Sequence, residues 1–259
     1  MNIAICGLEK NNLASYLKKH YSGKFNLVKT NPEFVLCYGG DGTLLFAERN
    51  YPGVPKVMIR KSRVCYHCVD LTKETILRLL LNKQYRLQTH QLLQATACGK
   101  TLYGLNDIVV GHRSINTGLR FKVYLDGEQY GREFLGDGVV VATPIGSTGY
   151  YQSITRSTFQ RGLGIAFNNA INNIGHLVID PKIEIMVKVT REPAVVTADN
   201  NQKMINIQAG DKVVIKLAKQ RSTKIVYFPG KHYKPFNLGL NEDRVPLGYC
   251  QVCSKLFND

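Results

Sequence analysis

The sequence predicts two lobes: an α/β N-terminal lobe with a parallel sheet in a three-layer sandwich, and a mainly antiparallel β C-terminal lobe. Two textures carry this reading. From Met1 to about Lys83, short apolar runs alternate with helix-like stretches, as in a parallel sheet covered by helices. From Tyr85 onward the apolar period falls to two, as in half-buried antiparallel strands. The boundaries that follow are 1–83 and 84–233, with the tail 234–259 expected to rejoin the first lobe.

The elements follow in order. Ile3–Cys6 is a strand, Glu9–His20 helical, Phe25–Lys29 a strand, and Glu33–Tyr38 a buried parallel strand. A glycine-rich turn leads into a helix that opens at Asp41 and Thr43. Val57–Arg60 is a short strand, and Thr72 caps a helix reaching Asn82. In the second lobe Leu119–Leu125 alternates cleanly and turns at Asp126-Gly127, a hairpin signal. Ile183–Val189, Val213–Leu217 and Thr223–Phe228 continue as strands. With no repeat or low-complexity linker, a cleft between the lobes is the expected ligand site.

At 259 residues the chain can bury a sizeable core. No run is long enough to span a bilayer, and Met1-Asn-Ile-Ala-Ile-Cys6 opens directly as a strand, so a cytoplasmic protein is expected. The net charge of +15 suits anionic ligands such as nucleotides. Its basic residues are scattered rather than clustered, so neither nucleic acid nor membrane is expected as a partner.

Gly39-Gly40-Asp41-Gly42-Thr43 stands where the strand becomes the helix. Such a turn directs backbone N–H groups and the positive end of the helix dipole at whatever lies above the sheet, which suits phosphate. A carboxylate does not bind bare phosphate, so Asp41 fits a proton or a metal beside it. A ligand-free Gly-Asp-Gly turn is the plain alternative. Further on, Leu105-Asn106-Asp107 opens a strand, in itself an ordinary turn. The stretch Gly136-Asp137-Gly138 to Thr143-Pro144-Ile145-Gly146-Ser147-Thr148-Gly149-Tyr150-Tyr151 is less ordinary. It is dense in glycine and hydroxyls and ends on a flat aromatic surface suited to stacking a base.

Together these blocks resemble the NAD kinase family over roughly residues 1 to 230. Gly39–Thr43 matches its Gly-Gly-Asp-Gly-Thr, and Asn106-Asp107 its Asn-Glu/Asp pair. Gly136–Tyr150 matches its discriminating signature, Gly-Asp-Gly followed by Thr-Pro-Thr/Ser-Gly-Ser/Thr-Thr-Ala-Tyr, and Ala198-Asp199 resembles its late Asp-Gly. The resemblance implies transfer of the γ-phosphoryl of ATP, or of polyphosphate in some members, to the adenosine-ribose 2′-hydroxyl of NAD. It implies that Asp41 orients or deprotonates that hydroxyl with Mg2+ shared with the phosphates. Gly39, Gly40, Gly42 and Thr43 then hold the phosphate chain. Asn106, Asp107, Asp137, Thr148, Tyr150 and Asp199 form the NAD pocket, Asp137 across a subunit boundary in a homodimer or homotetramer.

Three departures stand out. Ile145 replaces a hydroxyl residue and Gly149 an alanine, and Asp199 is followed by Asn200 rather than glycine. The stretch from Ser153 to Leu177 also differs from the family's Thr-Pro-Ile-Cys-Pro-His block. A lipid-type kinase shares Gly-Gly-Asp-Gly-Thr, with the Tyr150 loop and the Asn106-Asp107 pair against it. A non-catalytic dinucleotide sensor fits the departures, with Asp41 against it.

The cysteines speak separately. Cys65-Tyr66-His67-Cys68 and Cys250-Gln251-Val252-Cys253 are two Cys-x-x-Cys knuckles, the pattern of a closed tetrahedral Zn2+ site. The alternative is two unrelated pairs, free or redox-active. His67 is expected to be a bystander between ligands, and Tyr66 to make no ligand contact.

Overall fold

The computed structural model of the chain describes residues 1–63, 65–171 and 175–230. These fall into two compact units, 1–90 with 221–230, and Gln91–Gln220.

The first unit runs β1 (Asn2–Cys6), α1 (Lys10–His20), β2 (Asn26–Leu27), β3 (Phe34–Gly39), α2 (Asp41–Asn50), β4 (Lys56–Arg60) and α3 (Lys73–Leu81). Its strands are parallel in the order β2-β1-β3-β4. Successive strand residues point to opposite faces. Phe34, Leu36, Val57 and Ile59 accordingly meet Leu13 and Leu17 of α1 and Ile76, Leu77 and Leu80 of α3 in one buried cluster. Val35, Cys37, Lys56 and Met58 take the other parity, and on that side Glu48 of α2 pairs with the fully buried Lys56. Helices therefore cover both faces, the three layers that alternation predicts. Lys56 also donates to the Tyr51 carbonyl at 2.7 Å, which anchors the end of α2 to β4. Burial pulls the Lys56 ammonium below the ordinary lysine pKa, against the attraction of Glu48. At α3 the Thr72 hydroxyl accepts the Thr75 N–H at 3.2 Å, the cap expected there.

The next strands are β5 (Arg86–Ala97), which begins in the first unit, β6 (Lys100–Gly104), β7 (Asp107–His112), β8 (Leu119–Leu125), β9 (Glu128–Gly136) and β10 (Gly138–Ala142). A 3-10 turn (Gly146–Thr148) and α4 (Tyr150–Thr155) lead to β11 (Leu163–Asn168), β12 (Leu177–Ile179) and β13 (Ile185–Arg191). β14 (Ala194–Ala198), β15 (Ile205–Ile207) and β16 (Lys212–Tyr227) complete the described residues. One antiparallel sheet runs β12-β11-β10-β7-β14-β15, and β16, β13, β8 and β9 are antiparallel neighbours in another. Val110, Val139, Val141, Ile165 and Val196 from the first meet Phe121, Val123, Val187 and Ile215 from the second in one buried core.

The Asp126-Gly127 hairpin forms, with φ of 48° and 89° at its two residues. Two departures are local. The expected strand at Phe25–Lys29 shrinks to Asn26–Leu27, because only these two residues pair with β1. Val213–Leu217 and Thr223–Phe228 merge into β16, since no glycine or proline interrupts Ala218–Ser222. No helix among the described residues is long and apolar enough to cross a membrane. The expected return of the tail 234–259 falls outside the described residues.

Candidate functional site

In the first unit the turn is built as the glycines require. Gly40 is the N-cap of α2, extended and without a side chain to cap the helix. A Cβ on Gly39 would strike the Thr43 hydroxyl, so glycine here lets Thr43 fold back over the turn. Gly42 is exposed in the first turn of α2. The Asp41 carboxylate, in that same turn, faces the loop after β4. The Tyr66 N–H donates to its Oδ2 at 2.8 Å and the His67 N–H to its Oδ1 at 3.2 Å. Sequence reasoning assigned Tyr66 and His67 no role. Their contribution is main-chain, and side-chain identity carries no signal for it.

The cysteines of that loop, half of the expected zinc set, are paired with each other. Cys65 and Cys68 are buried and joined by a disulfide, so in this state they present no thiolates to a metal. Cys250 and Cys253 lie outside the described residues. Among the described residues no group of three or more His, Cys, Asp or Glu could hold a metal ion. Cysteines three apart can reach each other as readily as a common metal, and spacing alone does not choose between the two.

In the second unit the turn before β7 is organised by Asp199. Its carboxylate accepts the N–H groups of Leu105 at 2.8 Å, Asn106 at 2.7 Å and Asp107 at 3.2 Å. The Asp199 N–H returns a bond to the Asp107 carbonyl at 3.0 Å. Asp199 adopts the left-handed conformation, φ 50°, that such a reversal needs. The Asp107 carboxyl is pushed up to about 7, by burial first and by the Asp199 charge second. Near neutral pH it can therefore both donate and accept. Beside it, the Asn106 Oδ1 is buried with no hydrogen-bond partner among the described residues.

The glycine- and hydroxyl-rich loop locks onto this turn. Thr143 donates its hydroxyl to the Leu105 carbonyl at 2.6 Å, accepts the Gly146 N–H at 3.1 Å, and sends its own N–H to the Asn106 carbonyl at 2.8 Å. A Cβ on Gly146 would collide with that Asn106 carbonyl, which explains the glycine. Thr143 was not among the expected site residues, although its place before Pro144, buried in a hydroxyl-rich run, was the available signal. Thr148 donates to the Ile145 carbonyl at 3.3 Å. Ile145 itself is buried, so this departure from the hydroxyl pattern is a packing residue.

Tyr150 is 41% exposed, and its hydroxyl accepts from the Asn168 amide at 2.9 Å. Burial, then the Asp137 and Asp107 charges, raise its phenol pKa. Asp137 accepts from the Asn169 amide at 2.6 Å and lies 3.9 Å from His112 Nδ1. Tyr151 is fully buried, edge-on to Phe159 and His176 at ring distances of 5.0 and 5.7 Å. The altered stretch after the signature thus supplies the packing beneath α4. The structure gathers Asn106, Asp107 and Asp199 into one turn with the 143–148 loop against it. Asp41 sits with its own loop in the first unit.

Residues 105–227 match the family model described as the ATP-NAD kinase C-terminal domain. The chain is 32% identical over 200 residues to the NAD kinase of Aquifex aeolicus, covering 71% of this chain and 72% of that one. The chain belongs to the NAD kinase family. The NAD kinase of Carboxydothermus hydrogenoformans is 31% identical over 202 residues, covering 72% of this chain and 71% of the relative. In fold, the chain resembles a yeast NADH kinase complexed with NADH, with a TM-score of 0.76 and 14% identity over 93% of this chain and 86% of that one. It also resembles an NAD kinase from Archaeoglobus fulgidus in complex with ATP, with a TM-score of 0.70 and 21% identity over 91% and 96%.

Proposed function

We propose that this chain is an NAD kinase that transfers the γ-phosphoryl of ATP to the 2′-hydroxyl of the adenosine ribose of NAD. Beyond family membership, the observation that carries the site assignment is the buried Asn106 Oδ1, which has no partner among the described residues. An orphaned acceptor is costly unless a ligand supplies a donor, and the exocyclic amino group of adenine is such a donor. Asp107, able to donate and accept, suits ribose hydroxyls. Tyr150 offers its exposed ring to the base. Thr148 and Asp137 complete the pocket, Asp137 reaching a neighbouring subunit of a homo-oligomer. Asp199 acts by holding the Asn106-Asp107 turn.

In the first unit Gly39, Gly40, Gly42 and Thr43 receive the phosphate chain at the start of α2. Asp41 takes the proton from the 2′-hydroxyl as its oxygen bonds to the γ-phosphorus and the bond to the β-phosphate oxygen breaks, leaving ADP. One carboxylate beside a triphosphate fits Mg2+, which keeps most of its ligands from phosphates and water. Bound there with Asp41, it would neutralise charge on the transferring group. The protein works in the cytoplasm without a membrane or nucleic-acid partner.

The test is direct. Pure protein incubated with ATP, Mg2+ and NAD should yield NADP. Phosphorylation of a lipid instead, or dinucleotide binding without turnover, would refute this reading.

A further inference from the structure

The loop that follows β4 is closed on itself by Cys65 and Cys68, and the two residues inside that ring are Tyr66 and His67. Their N–H groups hold both oxygens of Asp41, at 2.8 and 3.2 Å. Cys65 Sγ lies 3.4 Å from Asp41 Oδ1. A disulfide sulfur has no proton to give, so in this state the contact is not a hydrogen bond. After reduction the Cys65 thiol would carry a proton at the same place, facing the carboxylate. Opening the ring therefore changes two things at once. It frees the backbone of Tyr66 and His67 to move, and it adds a new donor, or a thiolate charge, beside Oδ1.

We propose that the ring closed by Cys65 and Cys68 positions the Asp41 carboxylate for proton transfer, so that turnover depends on the thiol–disulfide state of this pair. The inference rests on the reading of Asp41 given above. Tyr66 and His67 are positioning residues through their main chain, with the disulfide fixing where their N–H groups point. Backbone donors within a short covalent ring lose little freedom when they bind, which favours one carboxylate orientation over many.

The state change is a two-electron exchange. A dithiol reductant gives two electrons and two protons to the Cys65–Cys68 bond, yielding two thiols on the protein and a disulfide on the reductant. Both sulfurs are buried, so exchange waits on local opening and is slow beside turnover. The state can therefore be set first and assayed afterwards. Among the other described cysteines, Cys6 and Cys37 are buried, and burial raises their thiol pKa, which leaves them poor nucleophiles.

The experiment uses the full chain, prepared air-oxidised and after dithiothreitol, with the state of Cys65 and Cys68 read by alkylation and peptide mass. The disulfide form should show a kcat higher by about 5-fold or more, with KM for NAD and ATP changed less than about 2-fold. Reoxidation should restore the rate. Cys68→Ser should run at the reduced-form rate and ignore the reductant. Should that variant fail to fold, the comparison of wild-type states still decides. In Asp41→Asn the residual rate should be the same in both states, because the group being positioned is gone. Equal kcat in the two wild-type states would overturn the proposal, as would a redox response that survives Asp41→Asn. So would one zinc per chain with Cys65 and Cys68 both bound to it. Absence of NADP in every state would instead refute the kinase reading itself.

Discussion

Two turns in this molecule solve the same problem by opposite means. In the first unit a carboxylate on a helix start, Asp41, is held by two N–H groups of an irregular loop. In the second a carboxylate at a strand end, Asp199, does the holding, and gathers three N–H groups of the turn before β7. On the proposed function, the first arrangement leaves the carboxylate as the reagent and uses the loop to orient it. On the same reading, the second uses the carboxylate to hold the loop and leaves Asn106 and Asp107 to meet the ligand. Similar hydrogen bonds therefore say little about role. What distinguishes the two is which partner retains chemistry to offer once the bonds are made.

The comparison breaks most easily at Asp41. Asp41→Asn keeps the shape and removes the proton acceptor, so kcat should fall by about 100-fold or more while NAD affinity stays within a few fold. Near-normal turnover would mean that Asp41 is held for structure, as the Asp199 turn is.

Asp199→Ala should cost stability instead. Three backbone donors would lose a charged acceptor, and about 2–3 kcal/mol of unfolding free energy should go with it, read by urea denaturation. NAD binding should weaken alongside, through disorder of Asn106 and Asp107. A variant as stable as the wild type would show that the sheet, rather than Asp199, holds the turn.

Asp107 sharpens the contrast through pH. Its carboxyl sits at about 7 in the fold, raised from an ordinary value of 3.8, so between those values the folded state keeps a proton that the unfolded chain has lost. The stability this contributes is complete below the unfolded pKa and is lost as pH rises through about 7. Wild type should therefore lose on the order of 2 kcal/mol between pH 5 and 7 relative to Asp107→Asn, in which this titration is absent. Parallel pH curves for the two proteins would contradict the burial and like charge assigned to Asp107.

The smallest effect concerns two adjacent tyrosines. Tyr150→Ala should weaken NAD binding by about 1–2 kcal/mol with little change in melting temperature. Tyr151→Ala should do the reverse, because that ring is buried against Phe159 and His176. Equal losses of affinity at both positions would place the base elsewhere than on Tyr150.

The sequence by itself determined the two textures, the capped helix after Thr72, the Asp126-Gly127 hairpin, and the blocks that mark the family. These depend on neighbours along the chain, where turn chemistry and apolar period act. Only the tertiary structure decided what the carboxylates do. The donors to Asp41 lie 25 and 26 residues away, and those to Asp199 lie 92 to 94 residues away. In each case the donor is a main-chain N–H, which every residue but proline carries, so no residue type announces it. The choice between a disulfide and a thiolate pair at Cys65 and Cys68 is likewise invisible in spacing. It turns on whether the backbone brings the two sulfurs to each other, and that is a property of the folded loop.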